Sequence, residues 1–412
     1  MKLDHRKSSS RSVCPLCRTA PGKRLESLRF QVFDSCPLQP EMDLMACGRC
    51  GFGYYDTPST QRDFDDYYRR NAYYGSARTS GAGGGSPDDA RFVEQLERFV
   101  SHIAGRDTRI VDVGCGQAGL LARLKRTGFS NLVGIDLLAE SIAHTTAAIG
   151  IEAIVGSATD LPIEDRSVGA LVLSHVLEHI IDPHQAVKEA SRVLEDDGLV
   201  YVEVPDATRY GEAFDLPYQE LYLEHVNHFG IGQLDWLFGQ HGFSCLASGR
   251  CTMPIENQNG VPCIYAALRK NRAAPRPCTM PVAGSELQDY VDRSNGHSLL
   301  RGLERLARSR RAVSVWGASQ HAMLLLGQTA LGECCLRWLV DVDSYKQSQT
   351  IAGHKIESPE VLRGGSRDDI VLVTADRYRE QIVEQLKSLG YRGCVVTLSE
   401  LADNDFPIAQ VA

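Results

Sequence analysis

From about residue 90 to residue 270, short apolar runs alternate with stretches of helical period. The runs "RIVDVG", "NLVGID", "EAIVG", "ALVLSH" and "LVYVEVP" are rich in β-branched residues, and most end in a turn residue or a polar loop. Between them "GLLARLKRTG" and "HQAVKEASRVLEDDG" repeat apolar positions at helix spacing and stop at glycine. Strand–helix alternation of this kind predicts a parallel sheet covered on both faces. A Pro/Ala-rich linker, "NRAAPRPCTMPVAG", follows. Beyond it a helix, "ELQDYVDRSNGHSLLRGLERLARS", broken at Gly296, leads into a second alternation with strands "AVSVWGA", "LRWLVDVD", "DIVLVTA" and "CVVTL". Ahead of both lies a segment with two cysteine pairs, closed by the flexible stretch "GSARTSGAGGGSPDD". The expected organisation is an α/β protein in three segments, 1–75, 76–271 and 272–412.

At 412 residues the chain exceeds one ordinary core, which agrees with two or three domains. Its net charge of −8 argues against a surface built for nucleic acid or an anionic membrane. No apolar run is long enough to cross a bilayer, so membrane insertion is not expected. The N-terminus is polar, and thirteen cysteines are scattered through apparent cores, which together suggest a cytoplasmic, reducing setting.

The first segment contains "CPLC" (Cys14, Cys17) and "CGRC" (Cys47, Cys50). A two-residue gap makes a tight turn that aims both sulfurs at one point, so two pairs together suit a tetrahedral ion. Zn2+ fits four thiolates best, an iron–sulfur cluster less well, and four reduced thiols are the plain alternative. Four protein ligands leave no position for a catalytic water, so such a zinc is structural.

"IVDVGCGQAGLL" is a strand, a glycine-rich turn and a helix start. Gly114 and Gly116 allow a ligand close to the backbone, and Asp112 precedes the turn. Asp136 ends the next strand, where a carboxylate can hold ribose hydroxyls. With "GSATDLPIEDRSVGALVLSHVLEHIIDPHQAVKEASRVLEDDGLVYVEVP", the segment resembles class I S-adenosylmethionine-dependent methyltransferases. The resemblance implies methionine-end contacts at Asp112, Gly114 and Gly116, ribose binding by Asp136, and adenine contacts near Ser157 and Ala158. Ser174 and His175 would line the methyl side. The family usually has an acid where Ser157 stands, and Asp160 is the alternative. A nicotinamide dinucleotide is disfavoured because the full G-x-G-x-x-G spacing is absent. In "HVLEHIIDP", His179 reads as a hydrogen-bonded structural residue rather than a base.

"LYLEHVNHFG" follows the fifth strand of the segment and precedes a helix, at the strand ends where open α/β sheets bind ligands. A histidine is neutral near pH 7 without a large pKa shift, so His225 suits proton abstraction beside a carbonyl, with Glu224 or Tyr222 assisting. The alternative is that Glu224 and His225 cap the next helix. Asn227 and His228 read as loop structure or substrate contacts. The third segment, with "VSVWGASQHAMLLL", "LVDVDSYKQSQTIAGHKIESPEVL" and "DIVLVTADRYREQIVEQLKSLGY", resembles the C-terminal domain of three-domain sugar C-methyltransferases.

That resemblance implies a zinc-binding module, a class I methyltransferase core and a C-terminal Rossmann-like domain, in this order. It implies a small-molecule substrate, a nucleotide-linked keto-deoxysugar, methylated at carbon next to the carbonyl with His225 as base. A tyrosine from "YYRRNAYYGSA", Tyr73 or Tyr74, would join the site. Asp341, Asp343 and Lys346 of the third segment read as structural as readily as nucleotide-facing. An O- or N-methyltransferase acting on a small metabolite or glycan is the other reading of the same cofactor pocket.

Overall fold

A computed structural model describes residues 13–19, 21–70, 89–254, 260–271, 280–282, 284–375 and 378–403. Two compact units emerge: Met1–Arg24, Met45–Ala213 and Glu224–Leu287 form the first; Leu25–Leu44, Phe214–Leu223 and Gln288–Ala412 form the second. The first boundaries fall within strands β1 (Lys23–Arg29) and β2 (Glu41–Ala46).

After β3 (Gly53–Asp56), α1 (Gln61–Arg70) and α2 (Asp89–Phe99), the first unit enters its main alternation. This runs β4 (Ile110–Val113), α3 (Gly119–Arg126), β5 (Leu132–Asp136), α4 (Ala139–His144), β6 (Glu152–Val155), β7 (Val168–Ser174), α5 (Pro183–Val193) and β8 (Leu194–Pro205). A two-residue strand β9 (Asn227–His228), helix α6 (Ile231–Gly239), and strands β10 (Phe243–Met253) and β11 (Val261–Lys270) complete it.

The seven-stranded sheet has the order β10-β11-β8-β7-β4-β5-β6. β4, β5, β6, β7 and β8 are mutually parallel, whereas β11 runs antiparallel to β8 and to β10. This is the class I methyltransferase form of the Rossmann-like fold, with its mixed sheet.

Alternation along each strand explains why the runs read as continuously apolar. Val111, Val133, Ile135, Leu171, Leu173, Val200 and Val202 enter one core with α5 and α6; Ile110, Leu132, Ala170, Val172, Leu199 and Tyr201 enter another with α2 and α3. Both sheet faces are buried, as a parallel sheet requires. Asp182 caps α5 by accepting from His184 N at 3.1 Å, and Pro183 opens the helix where its missing N–H costs nothing. The antiparallel β10–β11 pair was not legible beforehand. Outside the hairpin's buried first residue, β10 alternates half-buried and exposed positions and lacks the apolar run of its neighbours.

The second unit contains α7 (Glu286–Asn295, whose first two residues precede the boundary), α8 (Ser298–Arg308), β12 (Ala312–Trp316), α9 (Gln320–Gln328), β13 (Cys335–Val340), α10 (Ser344–Gln347), β14 (Thr350–Ile351), β15 (His354–Glu357), β16 (Ile370–Val373), α11 (Arg379–Ser388), β17 (Cys394–Thr397) and α12 (Leu398–Ala402). Its six-stranded sheet, β14-β15-β13-β12-β16-β17, is parallel except for β14 against β15. The expected break at Gly296 separates α7 from α8. Among the described residues no helix is long and apolar enough to cross a membrane.

Helix α8 packs on α12 so closely that a Cβ on Gly302 would lie 2.2 Å from the Leu401 carbonyl oxygen. Gly302→Ala is expected to destabilise this unit by about 1–3 kcal/mol, because backbone rather than a flexible side chain must give way. Denaturant unfolding of the variant measures it.

Candidate active site

The glycine-rich turn after β4 adopts a left-handed backbone at Gly114 (φ 73°) and Gly116 (φ 50°), which is why glycine stands there. The turn is tied to β5: the N–H groups of Gly114 and Cys115 donate to Ile135 O at 2.7 and 3.1 Å. Gly116 N donates to Asp136 Oδ2 at 2.9 Å, and Leu138 N to Asp136 Oδ1 at 2.8 Å. Burial nevertheless holds the Asp136 pKa above the usual carboxylate value, outweighing these donors. Asp112 is buried in β4, and burial pushes its pKa up to about 7, with Arg91 opposing and Asp136 reinforcing the shift. Beyond β6, Ser157 bridges to Asp160 and its hydroxyl lies 3.0 Å from that of Thr159, while Ala158 is buried in the core. Asp112, Asp136 and Ser157 therefore share the C-terminal edge of the parallel strands.

Ser174 ends β7 on that same edge and His175 follows it, and what holds them was not foreseen from the sequence. Arg91, Gln95 and Arg98 lie on one face of α2, at spacings of four and three. Gln95 Nε2 donates to Ser174 Oγ at 2.7 Å and to Glu203 Oε1 at 2.9 Å. Arg91 donates to Ser174 Oγ at 3.0 Å, and Arg98 to Glu203 Oε2 at 3.0 Å. Tyr201 donates its hydroxyl proton to Glu203 Oε2 at 2.6 Å. His175 lies between two carboxylates, with Nδ1 3.1 Å from Glu178 Oε1 and Nε2 3.5 Å from Glu203 Oε1. Burial and Arg91 push the His175 pKa down, but the two carboxylates outweigh them and leave it raised. Glu203 ends at about 2: burial alone would raise it, and His175, Arg91 and Tyr201 reverse the sign. His175 also sits at φ 54°, a strained backbone for a non-glycine residue and a frequent mark of a site. The sequence "ARFVEQLERF" did not signal this: polar residues at 91, 95 and 98 share a face that an amphipathic reading assigns to solvent.

The loop after β8 is positioned by β9, which pairs with β3 in the register Gly53↔His228 and Tyr54↔Asn227. Asn227 Nδ2 donates to the carbonyls of Leu177 and Ile180 at 2.8 and 2.6 Å, and His228 Nδ1 lies 3.1 Å from the Tyr210 hydroxyl. Both residues are buried and hold the loop. Glu224 is buried and accepts from the Tyr67 hydroxyl at 3.2 Å. His179 Nδ1 lies 2.6 Å from the Tyr68 hydroxyl and 3.1 Å from Glu224 O. His225 stacks edge-on against His179 with centroids 4.9 Å apart, and keeps an exposed edge.

Contrary to the expectation of an unshifted imidazole, burial pushes the His225 pKa well below its ordinary value, and His179, His228 and His175 push it further. The aromatic stretch contributes through Tyr67 and Tyr68; Tyr73 and Tyr74 lie outside the described residues. Tyr222 falls in the segment assigned to the second unit.

Cys14, Cys17, Cys47 and Cys50 are buried, and their sulfurs lie within 4.8 Å of one another. Cys14–Cys50 and Cys17–Cys47 are 3.7 and 3.6 Å apart. Bonds of about 2.3 Å to a tetrahedral zinc give a sulfur–sulfur edge of about 3.8 Å, so the set fits that ion. The two knuckles are built alike. Arg18 N donates to Cys14 O and Gly51 N to Cys47 O, both at 2.9 Å, and Arg18 (φ 54°) and Gly51 (φ 69°) are both left-handed. Histidine 184 steadies the first knuckle. Its Nε2 lies 2.7 Å from Leu16 O, an acceptor, so that nitrogen carries the proton and Nδ1 accepts from His241 Nε2 at 2.9 Å.

Residues 88–248 match the family described as "Methyltransferase domain", and residues 285–398 the family described as "C-methyltransferase C-terminal domain". Residues 88–248 thus carry a methyltransferase domain. A "probable S-adenosylmethionine-dependent methyltransferase" of Mycolicibacterium smegmatis is 30% identical over 142 residues, 34% of this chain and 53% of that protein. The C-methyltransferase NovU of Streptomyces niveus is 24% identical over 308 residues, 69% of this chain and 70% of NovU. This chain thus spans about half the length of the first relative and more of the second. Among solved structures, the [4+2]-cyclase SpnF matches with a TM-score of 0.41 at 16% identity, covering 52% of this chain and 97% of SpnF. The two domain matches and NovU are likenesses to methyltransferases, the C-terminal one to C-methyltransferases.

Asn227→Ala removes the amide donor from Ile180 O and leaves Leu177 O only the longer bond from Ile180 N at 3.3 Å, and is expected to cost about 1–3 kcal/mol. Equilibrium unfolding measures the loss, and Asn227→Asp should not restore it, because a carboxylate cannot donate.

Proposed function

We propose that this protein is an S-adenosylmethionine-dependent C-methyltransferase that methylates the carbon beside the keto group of a nucleotide-linked deoxysugar, in the cytoplasm. The observation that carries the reading is His225. It is a partly exposed imidazole kept neutral by burial, in the loop after β8 on the strand-end edge that carries Asp112 and Asp136. A family of C-methyltransferases matching the C-terminal residues, and NovU over most of its length, supports carbon as the nucleophile. The sugar and its nucleotide rest on the resemblance described above.

When bound, S-adenosylmethionine supplies an electrophilic methyl group on a sulfonium. Asp112 faces its cationic methionine end, Gly114 and Gly116 let the backbone approach, and Asp136 takes the ribose hydroxyls. Ser157 and Ala158 border the adenine, and Ser174 and His175 the methyl side. The N–H groups of the glycine turn are committed to Ile135 O and Asp136, so the methionine carboxylate needs another partner. Arg91, which acts electrostatically on Asp112, is the cation for it. His225 removes the proton next to the substrate carbonyl, and the enolate carbon is then the nucleophile. Glu224 steadies the charge His225 acquires. Transfer itself is a matter of alignment. We also assign a structural Zn2+ to Cys14, Cys17, Cys47 and Cys50.

The reading is tested by exchange. In deuterated water the reduced enzyme should exchange the α-proton of keto-deoxysugar nucleotides, and His225→Ala should abolish exchange while cofactor binding is kept. Unaltered exchange in the variant removes His225 as base; a methyl found on oxygen or nitrogen by NMR of the product replaces the C-methyl reading. The depressed His225 pKa keeps the base neutral below pH 6.5, so exchange should stay level as the pH falls through that value. A fall centred on pH 6.5 contradicts a buried base. Metal analysis should return about one zinc per chain, lost in Cys47→Ser.

A further inference from the structure

Cys251 on β10 and Cys263 on β11 stand directly opposite each other across the antiparallel pair. Facing residues in such a pair have Cα atoms about 4.5–5.5 Å apart, within the span of about 4.4–6.8 Å that a disulfide bridges. Both are free thiols; Cys263 is fully buried and Cys251 is partly exposed. Their surroundings are charged. Cys251 Sγ lies 4.0 Å from Glu203 Oε2, and Cys263 Sγ lies 4.0 Å from His175 Nε2. The side-chain contact with Cys263 holds the Cys251 thiol below its ordinary pKa, against burial and Glu203, with Arg98 and His175 helping. A partly exposed thiol inclined to ionise, beside a second buried thiol, is the arrangement of an attacking and a resolving cysteine.

We propose that Cys251 and Cys263 are an oxidative modification site, closed by hydroperoxides into a cross-strand disulfide that alters the Glu203–His175 corner of the cofactor pocket. In the first step the Cys251 thiolate attacks a peroxide oxygen; an S–O bond forms, the O–O bond breaks, and with a proton the hydroxide leaves as water. The Cys263 sulfur then attacks Cys251; the S–S bond forms, the S–O bond breaks and a second water leaves. Two thiols lose two electrons and two protons, and one hydrogen peroxide becomes two waters. The bridge draws both sulfurs toward each other, away from the carboxylate and imidazole they contact. Glu203 is the acceptor shared by Gln95, Arg98 and Tyr201, so a change there reaches Ser174 and His175. The link to cofactor affinity rests on the pocket reading above; the disulfide itself does not.

The test uses the full chain, reduced and with its metal retained, titrated with hydrogen peroxide and quenched with an alkylating agent. Peptide mapping should find Cys251 joined to Cys263, with a two-hydrogen mass loss, at peroxide levels that release no zinc. Affinity for S-adenosylmethionine should fall about tenfold and recover with reductant. Cys251→Ser, at the more exposed position, should bind cofactor normally and resist peroxide; Cys263→Ala should give a sulfenic acid at Cys251 instead of a bridge. Thiol loss with no Cys251–Cys263 peptide overturns the modification site, and a bridge that leaves affinity unchanged overturns its coupling to the pocket. A reduced chain that binds no cofactor defeats the functional reading, while the peptide map still decides the thiol pair.

Discussion

One buried carboxylate organises the first unit. Glu203 is 1% exposed at the end of β8, and an isolated charge there is costly enough that it would be protonated. It remains ionised because α2, β8 itself and the residue after β7 supply donors: Gln95 and Arg98, Tyr201, and the imidazole of His175. The dependence is mutual. Removing one partner of a buried charged set typically costs about 3–5 kcal/mol, so α2, β7 and β8 are fixed relative to one another by this residue. The same set holds Ser174 and the left-handed His175 at the strand ends, where the cofactor pocket is proposed. The constraint thus converts a packing requirement into a placed polar edge.

The sequence disclosed the parts of this arrangement that obey a period or a spacing. β4 to β8 read as apolar runs because both faces of the parallel sheet are buried. The cysteine pairs read as knuckles because a fixed gap sets their turn, and Gly114 and Gly116 read as a ligand-facing turn because only their backbone suits it. The face of α2 did not, since 91, 95 and 98 are polar and an amphipathic reading sends polar residues to water. Their partner, Glu203, lies more than a hundred positions away, and no local pattern joins them. His225 was legible as a candidate but its pKa was not, because the shift comes from burial and from three imidazoles whose approach only the fold creates.

The two units build the same device at their first two parallel strands and use it differently. In the first, Asp136 accepts from Gly116 N in the turn and from Leu138 N two positions on. In the second, Asp341 accepts from Ala318 N at 2.9 Å and from Asp343 N at 3.0 Å, again across a glycine turn. Lys346, on α10, adds an ammonium 3.2 Å from Asp341 Oδ2. An internal cation makes that carboxylate a poorer acceptor for a sugar diol, so the Asp341, Asp343 and Lys346 group fits a structural role. The shared frame therefore shows how a strand–turn–helix is fastened, and the first unit adds to it a buried Asp112 whose pKa burial pushes up to about 7.

The cysteine knuckles reach the same edge by a shorter route than the sequence suggests. Cys14, Cys17, Cys47 and Cys50 belong to one buried cluster with Val111, Leu173 and Leu234, and so pack into the core of the sheet itself. Directly after the second knuckle, β3 pairs with β9 and Tyr55 N donates to Val226 O at 2.9 Å. Glu224 and His225 immediately precede that point of attachment. A closed four-thiolate site has no vacancy for chemistry, but it fixes the turn from which β3 starts, and β3 fixes the loop that carries the imidazole. Loosening the knuckle should then shift the loop before it unfolds the sheet. The knuckle's hold on that loop runs through the register Gly53↔His228 and Tyr54↔Asn227.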